Sequence, residues 1–264
     1  MRLTVSVRDY LKLAYNAFRV LPTIGVFQTK KFVSIGNSKY AKPTLDSFKI
    51  RGMNSPIQLR HSSLVDRDVF RCVFHNKYHR PPIALGSSPN ILDLGANIGL
   101  SAVDLKLQYP GANIIGVEMD LSNCEIAEAN VQSFKDVRML HRAVWYESTV
   151  LYYDSNKDVD AFCVDSKKDL DTSGKVAVSS ITIAEAINLF DNKHADFIKL
   201  DIEGAENDVL TKNNEWLNSV GCMNIEIHDK DFFATALSVL EKFGFEVHKD
   251  TNHWSSILAT RASN

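Results

Sequence analysis

Residues 90–102 read NILDLGANIGLSA. A short apolar run passes through a glycine-bearing turn straight into a helical pattern, with Leu100, Val103 and Leu107 as its apolar stripe. A strand that ends this way hands the chain to a helix lying against its own sheet, which commits the downstream chain to an α/β architecture. The rest of the chain keeps that rhythm. NIIGVE (113–118), VRML (137–140), DFIKLD (196–201) and CMNIEIH (222–228) read as strands. CEIAEANVQSF (124–134), TIAEAINLF and AENDVL read as helices, and Phe233, Ala236, Leu237, Leu240 and Phe243 share one face of another. FEVHK and SSILAT close the chain as an antiparallel pair. The expectation is a doubly wound, mostly parallel sheet, covered by helices on both faces, with an antiparallel last strand.

Upstream, Val7, Leu11, Ala14, Phe18 and Leu21 recur at helical spacing, and Pro22 is expected to end that helix. Residues 24–60 show no clear pattern, and SSLVDRDVFRCVFHNKYH reads as a capped helix. The Pro/Gly/Ser stretch RPPIALGSSPN (80–90) is the best internal boundary. It divides the chain into an N-terminal extension, 1–88, for lid, substrate or dimer contacts, and a core, 89–264. A length of 264 residues with 45% hydrophobic and 23% charged residues suits one large domain with an appendage. A net charge of −2 provides no global basic field to attract nucleic acid. Cys72, Cys124, Cys163 and Cys222 are scattered without a C-x-x-C pair, as reduced core cysteines are. No apolar run approaches the roughly 18 residues of a membrane span, and the charged N-terminal stretch lacks a signal-peptide core, so the expected location is the cytoplasm. Acid as well as base on the polar face of the first helix favours packing on its own domain, or on a second copy in a homodimer, over a membrane surface.

The glycine turn speaks to the ligand. In an open α/β sheet, ligands sit beyond the carboxyl ends of the strands, near the point where strand order reverses. Gly95 lets the chain turn without a Cβ clash, and Gly99 lets the helix start pack close to ligand or sheet. Backbone N–H groups of the first helical turn are expected to face the ligand. The dinucleotide fingerprint is G-x-G-x-x-G, whereas this turn is Gly95-Ala96-Asn97-Ile98-Gly99, with Asn97 where the middle glycine admits a pyrophosphate. Asp93, two residues before the turn, repels phosphate and suits an ammonium group. A ligand with a positive end and no pyrophosphate fits, as S-adenosylmethionine (SAM) does. Glu118, at the end of the second strand, is placed to accept bonds from both ribose hydroxyls; it supports adenosine without separating SAM from NAD.

DFIKLDIEGAE (196–206) carries unusual charge for a buried strand. Alternate residues of a strand share a face, so Lys199 and Asp201 point together, with Glu203 just beyond, and Asn224, Glu226 and His228 do the same in NIEIH. Buried charge is costly unless paired. A Lys199–Glu226 ion pair would account structurally for those two. Asp201 and His228, at the carboxyl edge, are candidates for chemistry.

At these residues the sequence resembles the FkbM family of SAM-dependent methyltransferases. ILDLGANIG resembles its first motif and FIKLDIEGAENDVL its most distinctive one, a K-x-D-x-E-G-A-E string. VEMD and HRAVW stand where the family has its ribose and adenine segments, and LRHSSLVDRDVFRCVF resembles the segment before its core. The resemblance spans roughly residues 58–260. It implies a class I methyltransferase fold, a seven-stranded sheet with an antiparallel last strand, and O-methylation, often of sugars or other small metabolites. By motif match Asp93, Gly95, Asn97 and Gly99, with Ala96 between them, would line the methionine end. Glu118 would hold the ribose, and Met119, Ala143 and Val144 would border the adenine. Asp201 and Glu203 would sit near the methyl group, and Ser63 and Asp66 would close over the cofactor.

Methyl transfer from a sulfonium releases a neutral thioether, so the enzyme must orient the acceptor and take its proton. Among Asp201, Glu203 and His228, the expected base is His228, whose unperturbed pKa lies near neutral. In an alternative mechanism Asp201, Glu226 and His228 hold Mg²⁺ or Mn²⁺, as in catechol-type O-methyltransferases; no metal is favoured. Two other classes stand against these: an NAD-dependent oxidoreductase, opposed by Asp93 and Asn97, and a non-catalytic adenosine binder, opposed by the charged edge. The expected partner is a small-molecule acceptor, a carbohydrate by resemblance.

Overall fold

The computed structural model describes residues 15, 18–33, 44–61, 63–153, 175–251 and 253–261. They belong to two compact units, Met1–Lys77 and Tyr78–Asn264.

In the first unit, residues 18–24 are helical and Gly25, at φ +75°, turns the chain into α1 (Val26–Val33). The helix runs through Pro22 instead of stopping there, and the chain bends only at Gly25, whose N–H reaches the Leu21 carbonyl at 2.9 Å. Val20 and Ile24 are buried while Phe18 is exposed, so the inward face differs from the expected stripe. Val7, Leu11 and Ala14 lie outside the described residues. Strands β1 (Leu45–Phe48) and β2 (Ile57–Arg60) pair as an antiparallel hairpin in a stretch that had no legible pattern. The capped helix is α2 (Leu64–Arg71), followed by a wide turn over Cys72–Asn76. Phe32, Phe48, Phe70 and Phe74 stack in a chain with centroids 4.7 to 5.8 Å apart, and form the apolar centre of this unit.

The second unit is a seven-stranded sheet. Five strands run parallel: β3 (Asn90–Leu94), β4 (Asn113–Glu118), β5 (Val137–His141), β9 (Ala195–Leu200) and β10 (Val220–Glu226). The last strand, β12 (Ser256–Arg261), runs antiparallel between β10 and β11 (Phe245–Lys249). The order β11-β12-β10-β9-β3-β4-β5 is that of a class I methyltransferase sheet. All five residues of β3 are buried, as a strand covered on both faces requires. Helix α3 (Leu100–Gln108) follows β3, α4 (Leu121–Val131) follows β4, and the core gathers Leu92, Leu94, Ile198, Leu200, Met223 and Ile225. A small sheet of β6 (Ala143–Val144), β7 (Val150–Tyr153) and β8 (Val176–Ile181) flanks the chain segment 154–174, which lies outside the described residues together with most of the polar loop read there. Residues 78–80 pack with this unit: Asn224 Nδ2 donates to the Tyr78 and Arg80 carbonyls at 2.6 and 3.1 Å, and Arg80 pairs with Asp104 at 2.8 Å.

Asp66 anchors the first unit's turn into α2. Its fully buried carboxylate accepts the Arg60 N–H at 2.7 Å, the Arg60 guanidinium at 2.9 Å and the Ser63 hydroxyl at 3.0 Å. Removing one partner of a buried pair costs about 3 kcal/mol or more. Asp66→Ala is therefore expected to lower the thermal midpoint by several degrees in a circular-dichroism melt, and an unchanged midpoint would contradict the anchoring role.

Candidate active site

The chain proceeds from β3 outward to β4 and β5, then returns to place β9 on the other side of β3. Strand order therefore reverses between β3 and β9, and the two loops leaving their carboxyl ends form the crevice in which such sheets bind ligands. Those loops are the glycine turn and the D-x-E-G-A-E segment.

At the glycine turn, a Cβ on Gly95 would lie 1.7 Å from the Asp201 carbonyl oxygen, so the missing side chain is what lets the turn press against the end of β9. A Cβ on Gly99 would meet Ala127 at 3.0 Å. That glycine serves the contact between α3 and α4. Asn97 adopts φ +48°, a left-handed conformation that Asn tolerates. The N–H groups of residues 95–99 are all taken internally. Gly95 and Ala96 donate to the Val117 carbonyl at 3.0 and 2.9 Å, and Asn97 to Glu118 Oε2 at 2.8 Å. Ile98 donates to Asn97 Oδ1 and Gly99 to the Ala96 carbonyl, both at 2.8 Å. These five N–H groups precede α3, whose own first turn begins at Leu100.

Asp93 is fully buried and accepts the Ser101 hydroxyl. The ammonium it meets is the protein's own: Lys199 Nζ lies 3.5 Å from Asp93 Oδ1, 3.2 Å from Asp201 Oδ2 and 2.8 Å from the Gly95 carbonyl oxygen. Burial opposes the charge on Lys199, but Asp201 and Asp93 outweigh it and hold its pKa above the ordinary lysine value. The Lys199–Glu226 pair is not what forms. Register places Asp93 and Asn224 on either side of Lys199, so Glu226 lies two residues too far along β10. Glu226 instead accepts the Ser255 hydroxyl at 3.0 Å.

Glu118 is held from both oxygens, accepting the N–H groups of Asn97 and Asp120 at 2.8 Å each. Burial pushes its carboxyl up to about 7, against the pull of those two bonds. Met119 is half-buried against a small cluster that includes Ala143, and its carbonyl faces His141 Nε2 at 3.0 Å. Ala143 and Val144 are buried in β6. In the first unit, Ser63 and Asp66 are engaged in capping α2.

The second loop gathers the titratable groups. Glu203 at φ +53° and Gly204 at φ +103° bend the chain around Glu206, whose carboxylate accepts the Ile202 and Gly204 N–H groups at 3.2 and 3.0 Å. Glu206 also accepts His228 Nδ1 at 2.9 Å. His228 Nε2 faces Glu203 at 3.2 Å, Asp201 at 3.8 Å and Glu226 at 3.9 Å. Burial works against a charged ring, but the bond to Glu206 and the charges of Glu206, Glu203 and Asp201 outweigh it and lift His228 to about 9. At neutral pH it is an imidazolium, with Nδ1 directed at Glu206 and Nε2 at Glu203. The premise that made His228 the first-ranked base, a near-neutral pKa, does not survive folding. Burial, with Asp201 and Glu226 adding, pushes the Glu203 carboxyl up to about 8. One ligand atom each from Asp201, Glu203 and His228 lies within 4.8 Å of the others, a set that could hold a cation, with Glu203 in the place expected for Glu226.

The methyltransferase FkbM domain model matches residues 93–247, a stretch that opens at Asp93 and contains both loops. The chain belongs to the FkbM methyltransferase family. Among solved structures, the FkbM methyltransferase of Methylobacillus flagellatus KT is 13% identical with a TM-score of 0.47, over 96% of this chain and 59% of that one. Precorrin-6y C5,15-methyltransferase of Geobacter metallireducens GS-15 is 12% identical with a TM-score of 0.44, over 75% of this chain and 90% of that one. No curated protein matches significantly in sequence.

Two groups of this FkbM methyltransferase escaped the reading of its sequence. Glu206 stands in the quoted K-x-D-x-E-G-A-E string, yet only its burial shows that it orients His228. Lys199 opens the same string but tethers the glycine turn, which only the register reveals. Lys199→Met should leave Asp93 buried without its counter-ion and cost about 3–5 kcal/mol. Adding Asp93→Asn should recover part of that loss. A double-mutant cycle by urea denaturation checks the coupling, and strictly additive effects would exclude it.

Proposed function

We propose that this methyltransferase moves a methyl group from SAM to a hydroxyl of a small acceptor, of which a carbohydrate is the class that fits best. One observation carries the reading. A single ammonium, Lys199, binds both the carbonyl of the glycine turn and the Asp201 carboxylate, so the turn assigned to the donor and the groups assigned to the acceptor are fastened side by side. Asp93, Gly95, Ala96, Asn97 and Gly99 shape the methionine end, Glu118 receives the ribose hydroxyls, and Met119, Ala143 and Val144 border the adenine. NAD is disfavoured because Asn97 stands where the dinucleotide fingerprint has its middle glycine.

The acceptor oxygen attacks the methyl carbon, the sulfonium bond breaks toward sulfur, and the acceptor's proton passes to Glu203. Asp201 orients the acceptor, and His228 stays protonated and holds the carboxylates in place. Thermal melts should show a raised midpoint with SAM and with S-adenosylhomocysteine and none with NAD⁺; a shift with NAD⁺ alone would overturn the assignment. Glu203 is protonated below about 8 and useless as a base there, while His228 loses its proton above about 9. Turnover should therefore rise with pH through about 8 and fall again beyond about 9. Glu203→Gln should lower kcat by roughly 10²-fold or more with SAM affinity retained, and a flat pH profile or an active variant would remove Glu203 from the role.

A second reading rests on the convergence of Asp201, Glu203 and His228. A divalent cation there would replace the proton of His228 and lower the pKa of the acceptor hydroxyl. Activity lost on exhaustive chelation and restored by Mg²⁺ or Mn²⁺ would establish it, and activity that survives chelation would leave the proton-transfer reading alone.

A further inference from the structure

We propose that Trp254 is the platform on which the acceptor's ring rests, so that the turn His253–Ser256 binds a pyranose by one of its C–H faces. The proposal rests on the methyltransferase reading and adds the acceptor subsite to it.

The chain has three tryptophans. Trp145 and Trp216 are 7% and 6% exposed, whereas Trp254 is 62% exposed. A single exposed aromatic needs no explanation by itself; the case for Trp254 is its place in the fold. It sits at the tip of a turn closed by Ser256 N–H to the His253 carbonyl at 3.1 Å and by His253 Nδ1 with Ser256 Oγ at 2.9 Å. The turn is fastened to the loop after β10, because Ile227 N–H donates to the Ser255 carbonyl at 2.8 Å. Lys230 Nζ, from that loop, stands 4.9 Å from the indole centroid, and no other ring stacks on Trp254 among the described residues.

The same turn reaches the catalytic groups. Ser255 donates to Glu226 at 3.0 Å, His253 Nε2 lies 3.8 Å from Glu226, and Glu226 is 3.9 Å from His228 Nε2. An apolar ring face beside carboxylates and hydroxyls is the surface that a sugar requires. Its C–H face covers the indole while its hydroxyls donate to the acids. A flat aromatic acceptor would use the indole but leave most of the acids without donors.

The test uses the full chain loaded with S-adenosylhomocysteine and titrated with methyl glycosides of common hexoses and 6-deoxyhexoses, alongside phenol and catechol. Binding is read by tryptophan fluorescence and by calorimetry. A spectral change on glycoside binding that disappears in Trp254→Phe reports Trp254. The expected result is saturable binding of at least one glycoside. Trp254→Ala should weaken it about tenfold, the scale of one lost ring contact, and Trp254→Phe should weaken it less. Affinity for S-adenosylhomocysteine should stay unchanged in both variants. Glycoside affinity that is equal in wild type and Trp254→Ala would overturn the proposal, as would binding of the phenols alone or of none of the probes. Failure of the wild-type protein to bind S-adenosylhomocysteine would instead overturn the donor assignment, so the two failures are distinguishable.

Discussion

The Lys199 ammonium is the contact on which the rest of the site depends. It lies between two carboxylates on adjacent strands and reaches the carbonyl of a turn that belongs to neither side chain. An ammonium buried to this degree is tolerable only with compensating charge, and Asp93 and Asp201 provide it from opposite sides. The consequence is mechanical as well as electrostatic. The glycine turn cannot move away from the end of β9 without exposing Asp93 to an unbalanced interior, and Gly95 has no Cβ to hold the two apart. Two loops that leave separate strands thus behave as one rigid edge, as an in-line transfer between a donor and an acceptor requires.

Much of the fold was legible because hydrophobic patterning decides it. The apolar runs from NILDL to SSILAT became strands in the expected order, and the antiparallel pairing of β12 followed from the two runs that close the chain. The failures lie where local signals compete with packing. Pro22 disfavours helix continuation, yet the buried Val20 and Ile24 carry the helix past it to Gly25. In the β1–β2 hairpin only the four residues of β2 alternate, too short a signal to read alone, and β1 is seated by long-range contacts such as Phe48 against Phe32. At the site, residue identities were legible but partnerships were not. Alternation along a strand shows that Lys199 and Asp201 share a face. Only register shows that Asp93, rather than Glu226, is the carboxylate opposite Lys199. Likewise a histidine's ordinary pKa says nothing about four carboxylates converging on it, three from the segment after β9 and one from the end of β10.

Those carboxylates bear on how the proposed transfer runs. A sulfonium is stabilised by nearby negative charge, and that charge is lost as the methyl group leaves, so an acidic site on its own favours the reactant. The position of the acceptor's proton changes this. If Glu203 takes it as the methyl group moves, one positive charge disappears at sulfur while another arrives at the carboxylate, and the net charge of the crevice is preserved. The cluster is built for that exchange. Glu203 is held near the pH at which it can accept a proton and keep it, while His228, fixed by Glu206, adds a positive charge among the acids. In the proposed transfer the proton passes to Glu203, and His228 acts by remaining charged rather than by titrating.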